Sequence, residues 1–174
     1  FEIIMGNVCN RNFIENIFET RKIDTIFHAA AYKHVPLVEK NKLQALHNNV
    51  LSTKIICDSA LKFNLEKVIL ISSDKAVRPT NIMGATKLLS ELMVKELSSL
   101  SNCETIFSTV RFGNVIDSSG SVIPLFRNQI KSGGPLTITH PEMERYFMTI
   151  SEAVNLVLEA SVIMKGGETF ILDM

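Results

Sequence analysis

An excess of charge of either sign is missing from this sequence: 18 Lys and Arg residues balance 18 Asp and Glu residues. A chain without a net field has no long-range pull toward nucleic acid or an anionic membrane, so an anionic ligand has to be held by local groups. There is no basic stripe interleaved with aromatic side chains, which argues against a nucleic-acid partner. No apolar run approaches the roughly 20 residues of a membrane helix, and nothing reads as a secretory leader, so no membrane contact by this segment is expected. The three cysteines, Cys9, Cys57 and Cys103, stand far apart in no Cys-x-x-Cys spacing. They are expected to be reduced, small hydrophobic side chains of a cytoplasmic protein. His28, His34, His47 and His140 show neither His-x-x-x-His nor carboxylate spacing, so they read as structural or cleft-lining residues and no metal is expected.

What is present is a chain of 174 residues, 46% hydrophobic, long enough for one domain with a real core. Apolar runs alternate with helical patterns, which predicts βαβ units and a mainly parallel sheet. Strands are predicted at residues 3–5, 25–27, 67–72, 105–112, 136–139 and in the closing run at 170–174. Helices are predicted around Phe13, Ile14, Ile17 and Phe18, and over residues 43–63, with Leu46, Val50 and Leu61 among the inward candidates. Another is marked by Leu88, Leu89, Leu92, Met93, Leu97 and Leu100, one lies near residues 123–131, and a last one starts at Ser151 as N-cap. No internal repeat, low-complexity tract or linker divides the chain. It begins without methionine inside a strand-like run and stops just as another finishes, so it is read as the middle of a longer protein.

The densest chemistry lies in residues 72–87, Ser-Ser-Asp-Lys-Ala-Val-Arg-Pro-Thr-Asn-Ile-Met-Gly-Ala-Thr-Lys. An apolar strand delivers two hydroxyls, an acid and a base to one end, and a Pro-Thr-Asn turn leads into a helix carrying Met83 and Lys87. In open α/β sheets ligands sit at the carboxyl ends of strands, so polar groups gathered there suggest a site. Taken as bare residue types, Asp74 and Lys75 read first as an exposed ion pair at a strand end. Likewise Ala29, Ala30 and Ala31 fit either a flat ligand or plain strand–helix packing.

The string His28-Ala-Ala-Ala-Tyr-Lys-His-Val-Pro-Leu-Val-Glu39 resembles the same segment of CapD-type polysaccharide biosynthesis proteins. These are UDP-N-acetylglucosamine 4,6-dehydratases of the extended short-chain dehydrogenase/reductase superfamily. The likeness continues through Asn48-Asn49-Val50, residues 72–87, Arg111-Phe-Gly-Asn-Val115, Ser119-Gly-Ser-Val-Ile-Pro124 and His140-Pro-Glu-Met-Glu-Arg-Tyr-Phe-Met-Thr149. It implies an α/β fold with a Rossmann-type, doubly wound sheet, truncated at the N-terminal strand–helix units. Residues 1–174 would then be a partial NAD(P)-binding domain with part of the sugar-nucleotide region. The family's Gly-rich phosphate loop is absent from the sequence, so these residues alone are expected to bind NAD weakly and to be inactive.

The resemblance also implies roles. NAD, in preference to NADP, would lie against Asn7 and Val8 at the adenine and against Ala29, Ala30 and Ala31, with Lys87 on the nicotinamide ribose. A UDP-sugar would meet Ser73 near its 4-position. Its diphosphate, ribose or sugar would meet Asn114, Ser121, Val122, Thr139 and Arg145, with Lys33 and Asn49 supporting the cleft. Arg145 equally fits a surface ion pair with Glu142 or Glu144. Hydride would pass from sugar carbon 4 to NAD and return to carbon 6, with Lys75 as base at carbon 5 and Asp74 as acid for the departing 6-hydroxyl. Met83 replaces the family's usual tyrosine and cannot lose a proton, so Asp74 or a water would relay the 4-hydroxyl proton. The expected product is a 4-keto-6-deoxy sugar nucleotide for surface glycan. A UDP-sugar 4-epimerase and a non-catalytic remnant are the alternatives. The full-length protein is expected to be a homo-oligomer, with anchoring to the inner face of the membrane open.

Overall fold

The computed structural model describes every residue except 101–103, 117, 119–121, 139, 143, 145 and 172–174. Its centre is the Lys67–Ile71 strand (β2), apolar from Val68 onward, with β1 (Thr25–His28) on one side and β3 (Ile106–Arg111) on the other. A last strand, Thr169–Ile171, pairs beyond β3, and every pairing is parallel. Side chains along β2 alternate between two cores, as the two-residue period of a strand requires. Val68 and Leu70, with Phe107, face α1 (Arg11–Thr20), α4 (Ser52–Lys62) and α5 (Ile82–Ser98) through Ile14, Phe18, Ile55, Ile56, Ala60 and Val94. Ile69 and Val110 pack on the opposite face with Ala160 of α7 (Ile150–Ile163) and with Met164. Helices on both faces of a parallel sheet make the expected doubly wound α/β fold.

Several expectations of detail are corrected. Residues 3–5 form no strand; Ile3 and Met5 are exposed and pair with nothing in the sheet, while Glu2 is tied back to Arg21 at 2.7 Å. Residues 136–138 are irregular, and the small extra ladder is instead Asn114–Val115 with Phe147–Met148. The cap of α7 is Thr149, which forms a reciprocal capping box with Glu152. A short helix, α2 (Val35–Lys40), precedes the predicted helix over 43–63, which is itself divided into α3 (Lys42–Leu46), a π turn (His47–Leu51) and α4. The π turn rotates the helical face, so Asn49 is 2% exposed and Leu46 43%. On α5 the buried face is Met83, Thr86, Ser90, Glu91 and Val94, whereas Leu89 and Leu92 point outward. Among the described residues no helix is long and apolar enough to cross a membrane, and no cluster of His, Cys, Asp and Glu could hold a metal.

A polar seam runs between β1, α4 and α5. Asn49 receives the Tyr32 N–H on Oδ1 at 2.7 Å and donates to the Tyr32 carbonyl at 3.1 Å and to Thr86 Oγ1 at 3.0 Å. Thr53 gives its only hydroxyl proton to the Asn49 carbonyl at 2.8 Å. In its contact with His28 Nε2 at 3.1 Å that ring nitrogen is therefore the donor. Burial, with a smaller push from the Lys87 charge, lowers the His28 pKa to about 4.

Between pH 6.5 and 4 the unfolded chain then takes up a proton that the native chain refuses, so stability falls as pH falls through that window. The full loss attributable to His28 is roughly 3 kcal/mol. Urea unfolding at pH 6.5 and pH 4 should show a His28→Asn variant losing less stability than the parent by that order. Equal losses would contradict it.

Candidate active site

The polar cluster predicted from residues 72–87 grows directly out of β2. Ser72 N donates to the Val110 carbonyl at 2.8 Å and Asp74 N to the Phe112 carbonyl at 3.2 Å, so β3 holds the chain as it leaves the sheet. A single 3₁₀ turn, Asp74–Ala76, follows, capped by Ser73 Oγ accepting from Lys75 N at 3.2 Å. The same hydroxyl donates to Asp74 Oδ1 at 2.8 Å, and Lys75 Nζ reaches that oxygen at 3.1 Å. Burial raises the Asp74 pKa, but the Ser73 and Lys75 hydrogen bonds outweigh it, and the carboxyl ends below its ordinary value. Asp74 is therefore a carboxylate near neutral pH, paired with the Lys75 ammonium.

Helix α5 is clamped beside this turn. Asn81 Oδ1 accepts from Gly84 N at 2.9 Å, and Glu39 of α2 accepts from Ile82 N at 2.6 Å, satisfying two of the free amides at the helix start. A β-carbon on Gly84 would lie 2.2 Å from the Lys75 carbonyl oxygen, so only glycine permits this approach. One turn on, Lys87 Nζ donates to the carbonyl of Ile71, the last residue of β2, at 2.8 Å. Burial lowers its pKa to about 8 against an opposing pull from Glu91.

Asp74, Lys75 and Asn114 line one cleft of about 480 Å³ together with Thr80, Asn81, Glu144 and Tyr146. Asn114 Nδ2 reaches the Tyr146 carbonyl at 3.4 Å. Met83, grouped by sequence with the catalytic positions, is corrected to a core residue: it is 4% exposed and packs with Val38 and Ala45. Lys33 lines a different cavity, of about 620 Å³, with Ala31, Tyr32 and Leu37. Val122 starts α6 (Val122–Lys131), is exposed, and does not line the Asp74 cleft. Ser121, Thr139 and Arg145 lie outside the described residues. Asn7 is exposed and its side chain accepts from Cys9 N at 2.9 Å, while Val8 packs on the α1–α4 core.

The residues present fit the ribose end of a dinucleotide. Ala29 and Ala30 follow the rung where His28 lies opposite Leu70, are exposed, and carry nothing larger than a methyl. The Lys87 ammonium has further N–H groups beyond the one bonded to Ile71, suited to a sugar diol. Sequence reasoning missed the groups behind this surface, chiefly Glu91. The signal was a Ser90-Glu91 pair one turn after Lys87 in an otherwise leucine-rich helix.

A family profile described as polysaccharide biosynthesis protein matches residues 1–174. The chain belongs to that family. It is 51% identical over 174 residues to the capsular polysaccharide biosynthesis protein CapD of Staphylococcus aureus, covering all of this chain and 29% of that one. It is 45% identical over 168 residues to a protein named UDP-glucose 4-epimerase from Rickettsia canadensis, covering 96% of this chain and 49% of the relative. The chain thus spans at most about half the length of these two family relatives. The solved structure of Pen from Bacillus thuringiensis superposes with a TM-score of 0.93 at 42% identity, over 99% of this chain and 53% of that one. DesIV of Streptomyces venezuelae, a dTDP-glucose 4,6-dehydratase solved with NAD, shares the fold with a TM-score of 0.86 at 18% identity, over 95% and 56%.

Gly84→Ala should lower stability by about 1–3 kcal/mol in urea unfolding, because backbone rather than a flexible side chain must give way. The neighbouring Ala85→Gly should cost less, roughly 0.5–1 kcal/mol. Gly84→Ala behaving like a surface substitution would contradict the close approach.

Proposed function

We propose that this member of the polysaccharide biosynthesis family takes part in NAD-dependent 4,6-dehydration of UDP-N-acetylglucosamine, giving a 4-keto-6-deoxy sugar nucleotide. The observation that carries the reading is the Ser73–Asp74–Lys75 turn opening into a cleft at the carboxyl end of the central strand. Elimination across carbons 5 and 6 needs both a base and an acid, and this turn offers two titratable groups sharing one hydrogen bond. NAD, when bound, supplies the acceptor and donor for the hydride that leaves carbon 4 and returns to carbon 6.

The protonation of Asp74 suits a shuttle. As a carboxylate held low by Ser73 and Lys75 it can take the 4-hydroxyl proton during oxidation, the task a tyrosine would otherwise perform. Once protonated it no longer offers Lys75 a negative partner, so Lys75 gives its ammonium proton to water, and it regains one from water when the cycle closes and Asp74 is again a carboxylate. Lys75 then takes the carbon-5 proton, and Asp74 passes the former 4-hydroxyl proton to the departing 6-hydroxyl. Lys75 returns its proton to carbon 5 as carbon 6 is reduced. The balance closes on the loss of one water and no net redox change. Asn114 and the floor at Ala29, Ala30 and Ala31 would orient the sugar nucleotide and cofactor.

A 4-epimerase is the second reading, favoured by the similarity to the Rickettsia protein of that name. Epimerisation needs no proton transfer at carbon 5. In heavy water the dehydratase reading predicts one deuterium at carbon 5 of a 4-keto-6-deoxy product. Lys75→Met and Asp74→Asn should each lower turnover by about 10²–10⁴-fold. An inverted carbon 4 without deuterium at carbon 5 would establish the epimerase instead.

A further inference from the structure

Behind the turn lies a buried ion pair that the reaction above does not use. Glu91, one helical turn beyond Lys87 on α5, is 5% exposed. Its Oε1 accepts from Arg111 Nε at 2.9 Å and from the Ser72 hydroxyl, and its Oε2 accepts from Arg111 Nη2. Ser72 is itself 4% exposed and sits between Ile71, which receives the Lys87 ammonium, and Ser73, which caps the turn bearing Asp74 and Lys75. One carboxylate thereby ties α5, the end of β2 and the end of β3 together immediately under the proposed site.

Stability alone is a poor account of such a pair. Desolvation of two charges commonly cancels their attraction, and apolar replacements of similar volume are often no worse. We propose that Glu91 is a positioning residue of this site: its carboxylate fixes Ser72, and through it the Ser73–Lys75 turn, and supplies the negative charge beside Lys87. The titratable groups that act on or feel Lys87 are Glu91 on its own helix and neutral His28 at the end of β1. Of these, Glu91 is the one that favours the ammonium against burial.

The rate arm of the test rests on the dehydration reading; the titration arm does not. In the full natural polypeptide, free of ligand, ¹³C-labelled lysine NMR should place the Lys87 midpoint near 8. Glu91→Gln should lower it by about one pH unit, reducing the charged fraction at pH 7.5 by roughly threefold. With UDP-N-acetylglucosamine as substrate, kcat should fall at least tenfold with KM changed less than threefold, and the alkaline limb of the rate profile should move to lower pH. Glu91→Asp should restore part of both. If Glu91→Gln does not fold, the double variant Glu91→Leu, Arg111→Met removes both charges together and should fold with the same loss of kcat and a smaller Lys87 shift. A Lys87 midpoint unchanged in folded Glu91→Gln overturns the proposal, as does an unchanged kcat in either folded variant. If the parent converts no UDP-sugar, the dehydration reading fails, and the Lys87 titration alone decides the role of Glu91.

Discussion

The hydrogen bond from the half-buried Lys87 ammonium to the Ile71 carbonyl, at 2.8 Å, ties the start of α5 to the end of the central strand. A parallel strand end leaves carbonyls without a ladder partner at the rim of the sheet, and a cation is a strong donor for one of them. The rest of the site depends on that tie. It sets how far α5 lies from β2, and so how closely Gly84 must approach the Lys75 carbonyl. The 3₁₀ turn is then held from both ends, by β3 through the Asp74 amide and by α5 through this contact. Two side chains that would otherwise sample open solvent are thereby presented at one rim.

Charge is arranged along the same rim. The seam of His28, Thr53, Asn49, Ser90 and Thr86 is neutral, each group answered by another hydroxyl, amide or carbonyl. Beyond it come the Lys87 ammonium, the Glu91 carboxylate and the Arg111 guanidinium. A neutral imidazole at one side follows from the cation beside it and from burial, since both disfavour a second positive charge. The ordering leaves the open turn, rather than the buried seam, as the place where protons can move.

The strands were legible because buried parallel strands are largely apolar: residues 68–71 carry Val, Ile, Leu and Ile in succession, and the polar string after them marked the strand end. The Asp74–Lys75–Asn114 grouping followed from the resemblance, and the structure places those three on one cleft. The face of the long helix was not legible, because a π turn adds a residue to the repeat without any signature in residue type. Leucine spacing on α5 misled for a different reason. The helix buries Thr86, Ser90 and Glu91, whose tertiary partners lie 19 to 41 residues away in sequence and which a hydrophobicity pattern counts as surface. Strand pairing of residues 3–5 failed likewise, since an apolar run states a preference for burial but not a partner.

Met83 shows how the fold and the proposed chemistry constrain each other. The residue falls in the first turn of α5, where Val38 of α2 and Ala45 of α3 close over it and leave it 4% exposed. A phenol there would have to turn its hydroxyl toward the cleft or leave it without a partner in an apolar cluster, at a cost of about 1–3 kcal/mol. A thioether has no such demand and fills the space. With no phenol at this position, the proposed reaction would pass proton acceptance from a 4-hydroxyl to groups of the neighbouring turn, and there Ser73 and Lys75 keep Asp74 ionised. The same two hydrogen bonds that make Asp74 a poor acid at rest make it available as the first acceptor, so the missing tyrosine and the lowered carboxyl are two sides of one arrangement.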